Sequence, residues 1–163
     1  VIDPVSDNYR TYYQIFVGSF SDGNNDGIGD LRGIINRFDY LNDGDVNSGK
    51  SLGIQGIWLS PIFESPSNHK YDTADYMHID THLGTDEDFR SLCETAKHLG
   101  IRVMLDGVFS HTGEDSIYFN RFGRFPTVGA CQSTQSPYYP WYQFKRYPDE
   151  YECWWNVKRK SCY

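Results

Sequence analysis

Apolar positions fall into three short runs, separated by polar stretches whose own apolar residues recur at helical spacing. The first run, Tyr12-Tyr13-Gln14-Ile15-Phe16-Val17, is aromatic and β-branched and predicts a strand. A polar, glycine-rich stretch follows from Ser21 to Gly29, and from Asp30 the residues Leu31, Ile34, Ile35, Phe38 and Leu41 define one helix with Asp30 as its N-cap. Asn42 to Gly49 reads as a surface loop. The second run, Ile54 to Leu59, lies between Gly53 and Ser60-Pro61 and predicts a buried strand. Phe89, Leu92, Ala96 and Leu99 mark another helix, capped near Thr85 or Asp86 and stopped by Gly100. Ile101 to Leu105, the third run, comes directly after that glycine.

The order strand, helix, strand, helix, strand implies parallel strands joined by helical crossovers. Centred on Tyr13, Ile57 and Met104, the strands lie 44 and 47 residues apart. A unit of a (β/α)8 barrel averages about 30 residues, so the excess lies in the loops after the strands, where such a barrel carries its active site. A doubly wound sheet competes with this architecture, but no GxGxxG or phosphate loop follows any of the three strands.

Composition narrows the function classes. The chain of 163 residues has 22 acidic and 15 basic side chains and a formal charge of −7, which argues against a nucleic-acid or anionic-membrane partner. No run of about 18 apolar residues is present to span a membrane. The N-terminus, Val1-Ile2-Asp3-Pro4, lacks the basic region and apolar core of a signal peptide. Cys93, Cys131, Cys153 and Cys162 are too few and too unevenly spaced for a disulfide scaffold, and no CxxC pair points to zinc. Cys93 reads as a small buried residue of a helix, and a Cys131–Cys153 bridge is expected only in an oxidising compartment. Aromatics make up 17% of the chain, and residues 138–155 hold nine of them in eighteen positions. Large aromatics are core residues first, so this segment reads as an irregular subdomain with an aromatic core; the sharper reading is a surface that stacks on ligand rings.

Three segments carry candidate chemistry. Asp22-Gly23-Asn24-Asn25-Asp26-Gly27-Ile28-Gly29-Asp30 places oxygen side chains at every second position, a pattern that suits calcium. It is not an EF-hand, because position twelve is Gly33 and no helix precedes it. The plainer alternative is an Asx-rich turn that leads into a capped helix. The second segment, Asn68 to Tyr76, lies in the long polar loop after the second strand. The third, Val103 to His111, runs off the end of the third. A lone histidine is more often structural than functional, but His111 sits just past a buried strand with Asp106 at the strand end. In a barrel all three segments would share one face.

These segments carry a resemblance. YYQIFVGSFSDGNNDGIGDLRGI, GIQGIWLSPIFESPSNHKYDTADY, GIRVMLDGVFSHTG and SPYYPWYQFKRYPDEYECWW occur in the order found in the alpha-amylase family of glycoside hydrolases, and the chain resembles its neopullulanase and maltodextrin-hydrolase-like members. The resemblance implies an α/β fold, the N-terminal portion of a (β/α)8 TIM barrel of about three βα units. Residues 1–111 then supply three strands and two helices, and residues 112–163 begin the subdomain inserted after strand three. It also implies roles. Asp22, Asn24, Asp26, Asp30 and the carbonyl of Ile28 match a Ca2+ loop. Tyr71 matches a tyrosine that stacks under the sugar at the cleavage position, with Asn68 near that sugar. His111 matches a histidine that binds the sugar's hydroxyls and stabilises the transition state, and Asp106 an aspartate that holds the local hydrogen-bond network. Ser110 departs from the family, where asparagine is usual and sometimes binds a second calcium.

The implied activity is retaining cleavage of α-glucosidic bonds in maltodextrin, pullulan or cyclodextrin, with an α-glucan as partner. Its aspartate nucleophile and glutamate acid/base, about 5 Å apart, and a third carboxylate follow strands four, five and seven of the family. The 163 residues are therefore expected to be inactive alone. Three strands of an eight-stranded barrel would leave open edges, which predicts association between copies or with a C-terminal part. The resemblance favours a cytoplasmic enzyme, although close relatives are secreted. Two alternatives remain at this level: a non-catalytic carbohydrate-binding or interaction module, supported by the aromatic density, and a purely structural calcium protein.

Overall fold

The computed structural model describes residues 8–153 together with 161 and 162. Its strands are β1 (Tyr12–Ile15), β2 (Gly56–Leu59), β3 (Phe63–Glu64), β4 (Asp75–Ile79), β5 (Arg102–Leu105), β6 (Thr112–Gly113), β7 (Phe144–Arg146), β8 (Glu150–Tyr151) and β9 (Ser161–Cys162). The helices are α1 (Val17–Phe20), α2 (Leu31–Ile35), α3 (Phe38–Leu41) and α4 (Asp86–His98), with a 3-10 turn at Tyr139–Trp141. The described residues form two compact units, 8–62 with 80–106 and 63–79 with 107–153 together with 161 and 162.

In the first unit β1, β2 and β5 form a parallel sheet in that order, with Tyr13, Ile57 and Val103 in one register row and Ile15, Leu59 and Leu105 in another. Parallel neighbours need a crossover, and the helices α1 to α3 and α4 supply them. One sheet face carries Ile15, Ile57 and Leu59; these are buried, as are Val17, Leu31, Ile34 and Leu41 from the first crossover and Leu92 and Ala96 from α4. Each such aliphatic side chain contributes about 1.5–3 kcal/mol through burial. Alternation sends Gln14, Trp58 and Met104 to the other face, where Trp58 is 37% and Met104 46% exposed. The sheet thus has one packed and one open face, as expected for part of a barrel.

Helix α4 starts as its sequence predicts. Thr85 Oγ1 accepts from the Asp88 N–H at 3.2 Å, and Asp88 Oδ2 accepts from the Thr85 N–H at 3.0 Å, a complete capping box. The single helix expected from Leu31 to Leu41 is instead two. It breaks at Asn36 and Arg37, the latter at φ −115° and ψ 13°, where the Arg37 N–H donates to Ile34 O in a tightened turn. Ile35 and Asn36 are weak helix formers, and the break still buries Phe38 and Leu41.

In the second unit β3 and β4 pair antiparallel, so part of the stretch expected to be loop is strand. Strands β7 and β8 pair likewise, as do β6 and β9. The core is aromatic: Phe119, fully buried, meets Tyr142 at 4.8 Å, Tyr151 at 4.7 Å and Phe144 at 5.8 Å between ring centroids. The expected aromatic core is therefore present, while Trp154 and Trp155 of the same run lie outside the described residues. Cys93, Cys131 and Cys153 are free thiols, so no Cys131–Cys153 bridge exists in this structure.

Candidate functional site

The loop between β3 and β4 is held from inside. The buried Asp72 carboxylate accepts from Ser65 Oγ at 2.7 Å and also from Ser67 Oγ. Lys70, in the left-handed region at φ 63°, turns its buried ammonium to the carbonyl oxygens of Ser67 at 3.0 Å and Ser65 at 3.4 Å. The next residue, Tyr71, donates its N–H to His69 Nδ1 at 3.0 Å, and the two rings stack with centroids 6.0 Å apart. Its ring stays 39% exposed, and Asn68 is exposed beside it.

His111 is brought onto this loop. Its Nε2 lies 2.8 Å from the Tyr71 carbonyl oxygen. A carbonyl only accepts, so Nε2 carries the proton, and in the neutral ring Nδ1 accepts from Ser110 Oγ at 3.1 Å. Two residues forty positions apart, each singled out from the sequence, are thus joined by one hydrogen bond. To donate from Nε2 to a sugar hydroxyl, the imidazole must share or exchange that bond.

Tyr76 fixes the backbone that carries His111, a role sequence reasoning did not assign. Its hydroxyl donates toward the carbonyls of Val108 and His111, the latter at 2.7 Å. Burial raises its pKa above the usual tyrosine value, which keeps it a donor. The ring packs against Phe109 at 5.9 Å and Tyr118 at 5.6 Å. The only hint was its place at the end of the candidate segment Asn68 to Tyr76, on a strand whose partner could not be seen. Beside it opens a cleft of 520 Å³ lined by Tyr76, Phe109, His111, Tyr118, Trp141 and Tyr142.

The other two groups of candidates belong to the first unit. Asp106, half-buried, donates its N–H to the Leu59 carbonyl at 3.1 Å and continues the sheet by one residue. The Asp22–Asp30 loop is closed by its own side chains. Asp22 accepts from the N–H groups of Asn25 at 2.6 Å, Gly27 at 2.7 Å and Asn24 at 3.1 Å, and the Gly27 bond is the largest cause of its lowered pKa. Asn24 Oδ1 accepts from the Asp26 N–H at 2.9 Å and Asp26 Oδ1 from the Ile28 N–H at 2.8 Å. Asp30 caps α2 through Gly33 N at 2.6 Å and also accepts from Gly23 N at 3.1 Å. A Cβ on Gly33 would overlap the Ser21 carbonyl oxygen, so this close seating of loop on helix requires glycine. Among the described residues no three His, Cys, Asp or Glu side chains converge as a metal cluster. The donor types of the loop, three carboxylates, an amide and the Ile28 carbonyl, are all oxygen and suit a hard divalent cation.

A parallel sheet with helical crossovers and long loops after its strands is the arrangement found in part of a (β/α)8 barrel. Comparison with known proteins makes this specific. The profile of the family described as alpha amylase, catalytic domain, matches residues 14–162. Amylopullulanase of Thermoanaerobacterium thermosulfurigenes is 51% identical over 138 residues, covering 81% of this chain and 7% of that protein. Cyclomaltodextrinase of Geobacillus thermopakistaniensis is 46% identical over 120 residues, covering 74% of this chain and 18% of that protein. The crystal structure of an alpha-amylase from H. orenii superposes with a TM-score of 0.76 at 41% identity, covering 94% of this chain and 29% of that one. The chain belongs to the alpha-amylase catalytic-domain family, and it spans under a third of the length of each of these relatives.

Proposed function

We propose that these residues are the front part of the catalytic barrel of a retaining α-glucosidic-bond hydrolase acting on starch-derived α-glucans. The observation that carries this reading is the Tyr71–His111 pair, a half-exposed ring and an imidazole joined through one backbone carbonyl. Tyr71 stacks beneath a sugar ring and orients it. The Nε2–H of His111 passes to a ring hydroxyl, where a donor stabilises the charge that develops as the glycosidic bond breaks. Ser110 holds the other nitrogen, so the tautomer with a proton on Nε2 is kept. Asn68 meets the sugar's edge and Asp106 maintains the hydrogen bonds at the end of β5.

Neither the nucleophile nor the acid/base is among these residues, so the 163-residue chain alone does not turn over substrate. Calcium would be held by oxygens of Asp22, Asn24, Asp26, Ile28 and Asp30, where its charge would offset the three carboxylates and stiffen the loop. The test is a sensitive reducing-sugar assay on maltooligosaccharides and pullulan. No turnover is expected from the 163-residue chain, and turnover is expected from a polypeptide that continues through the family's remaining strands. Hydrolysis by the chain alone would refute the assignment of the missing carboxylates.

A further inference from the structure

We propose that His69 is a positioning residue for the Tyr71 ring, and that it holds the ring for a sugar only while its own imidazole is neutral. The inference rests on the sugar-stacking reading of Tyr71 above and adds what governs that ring's orientation. His69 Nδ1 lies 3.0 Å from the backbone nitrogen of Tyr71, and the two rings stack with centroids 6.0 Å apart and planes at 29°. A backbone N–H only donates, so Nδ1 presents its lone pair and the proton of the neutral ring sits on Nε2. The bond reaches two residues along the chain, as in an Asx turn. It closes directly after Lys70, whose φ of 63° turns the backbone, and so fixes the residue that carries the half-exposed ring.

Ser67 decides what protonation does. Its Oγ is 3.2 Å from the same Nδ1, and its one hydroxyl proton goes to the Asp72 carboxylate, which as an anion only accepts. Ser67 Oγ therefore offers lone pairs, and one of them takes the Lys70 N–H at 3.1 Å. An imidazolium at position 69 sets two donors, Nδ1–H and the Tyr71 N–H, against each other beside that acceptor. Protonation moves the Nδ1 bond from Tyr71 to Ser67 and gives the Tyr71 amide to water. The charged groups around His69 are the Asp72 carboxylate, reached through Ser67, and the Lys70 ammonium, turned to the carbonyls of Ser65 and Ser67. The Tyr71 phenol faces its ring, and His111 lies across the Tyr71 carbonyl. His111 responds differently to acid. Its Nε2 donates to that carbonyl in either charge state, and the Ser110 hydroxyl accepts from Nδ1–H as readily as it donates to Nδ1. Acid thus unties Tyr71 on its N–H side and leaves it tied on its C=O side.

The experiment follows the Tyr71 amide and the histidine ring signals of the isotope-labelled 163-residue chain by nuclear magnetic resonance, over the imidazole range of roughly pH 8 to 5. The His69 ring is identified by its loss in His69→Asn, whose Oδ1 accepts from the same N–H and does not titrate. The Tyr71 amide is expected to shift with the midpoint of the His69 ring. At the acid end its hydrogen exchange should be about fivefold faster in the parent chain than in His69→Asn, the worth of one hydrogen bond. Maltose should bind the parent chain about fivefold more weakly at the acid end than at the alkaline end. It should bind His69→Asn equally at both, and His69→Ala weakly at both. An unmoved Trp141 indole peak before sugar is added shows that each variant keeps the second unit folded. If the Tyr71 amide titrates with His111 instead, or keeps its step in His69→Asn, the positioning role is refuted. It is also refuted if the amide follows His69 while maltose affinity stays constant. If the amide follows His69 and neither the parent chain nor His69→Asn binds maltose at any pH, the Tyr71–His111 sugar reading fails and takes the positioning role with it, while the His69–Tyr71 bond stands.

Discussion

Replacing Asp30 by alanine should cost the protein about 2–5 kcal/mol, a sum that can be worked from its two hydrogen bonds. The side chain is 3% exposed, and one oxygen accepts from Gly33 N at 2.6 Å as the N-cap of α2. Loss of such a cap costs about 0.5–2 kcal/mol. The other oxygen accepts from Gly23 N at 3.1 Å and ties the loop to the helix, and a hydrogen bond to a charged group is worth about 1.5–3 kcal/mol. Asp30→Asn keeps one acceptor for Gly33 but presents an NH2 group to Gly23, so about half the penalty should remain. The assay is urea unfolding followed by circular dichroism, in chelator and in excess calcium. If the loop binds calcium, the parent chain gains about 2.7 kcal/mol at a hundredfold excess over Kd, and both variants lose most of that gain. Asp22→Asn, which turns one of the oxygens that accept from Asn25 and Gly27 into an NH2 group, should lose the calcium response and also lower stability in chelator. A destabilisation of Asp30→Ala below about 0.5 kcal/mol, the size of an ordinary surface change, would refute the capping argument. An equal calcium gain in all four proteins would refute the ligand assignment.

Two further outcomes follow from the packing and the charges. Phe119→Ala should destabilise the second unit by about 3–5 kcal/mol, because the fully buried ring meets three others; urea unfolding read from tyrosine fluorescence measures this, and a loss below about 1 kcal/mol would contradict the assigned core. The α4 capping box should fail in acid. Burial raises the Asp88 pKa, but hydrogen bonds from Thr85 and Arg32 outweigh it and leave the value below 3.8. A carboxylate depressed on folding contributes stability that is present above its unfolded pKa and lost as pH falls through the folded one. Helical ellipticity should therefore fall below pH 3.8 in the parent chain, and Asp88→Asn should flatten that fall; an unchanged acid limb would count against the box.

Local signals were legible from residues alone. The three parallel strands, the Asp30 cap, a helix start near Thr85 or Asp86 and the aromatic core of the second unit all follow from propensity, capping and spacing. The break at Asn36–Arg37 was not, because the apolar spacing from Leu31 to Leu41 is satisfied equally by one helix or by two short ones that turn the same faces inward. Helix α1 begins at Val17, the last residue of an apolar run that reads as strand, and it has no capping side chain. Strand β4 was missed for another reason. Its partner β3 is two residues long, and Tyr76 is tied to Tyr118 by a hydrogen bond of 3.2 Å between positions 42 apart. Pairings of that kind leave no periodic trace in a sequence. The resemblance named His111 and Tyr71, but not the carbonyl through which they meet.

The proposed sugar site and the aromatic core of the second unit are joined through Tyr76. Tyr76 sends its hydroxyl to the backbone at Val108 and His111 and its ring against Tyr118. Tyr118 in turn carries Trp141 on one side and meets Tyr138 on another. A sugar platform must hold its rings at fixed angles, and aromatic side chains packed edge to face do this with few rotatable bonds to order on binding. The rings packed around Tyr118 hold Tyr76, and Tyr76 holds the backbone of His111, so under the proposed function a substitution at Tyr118 should weaken sugar binding and stability together.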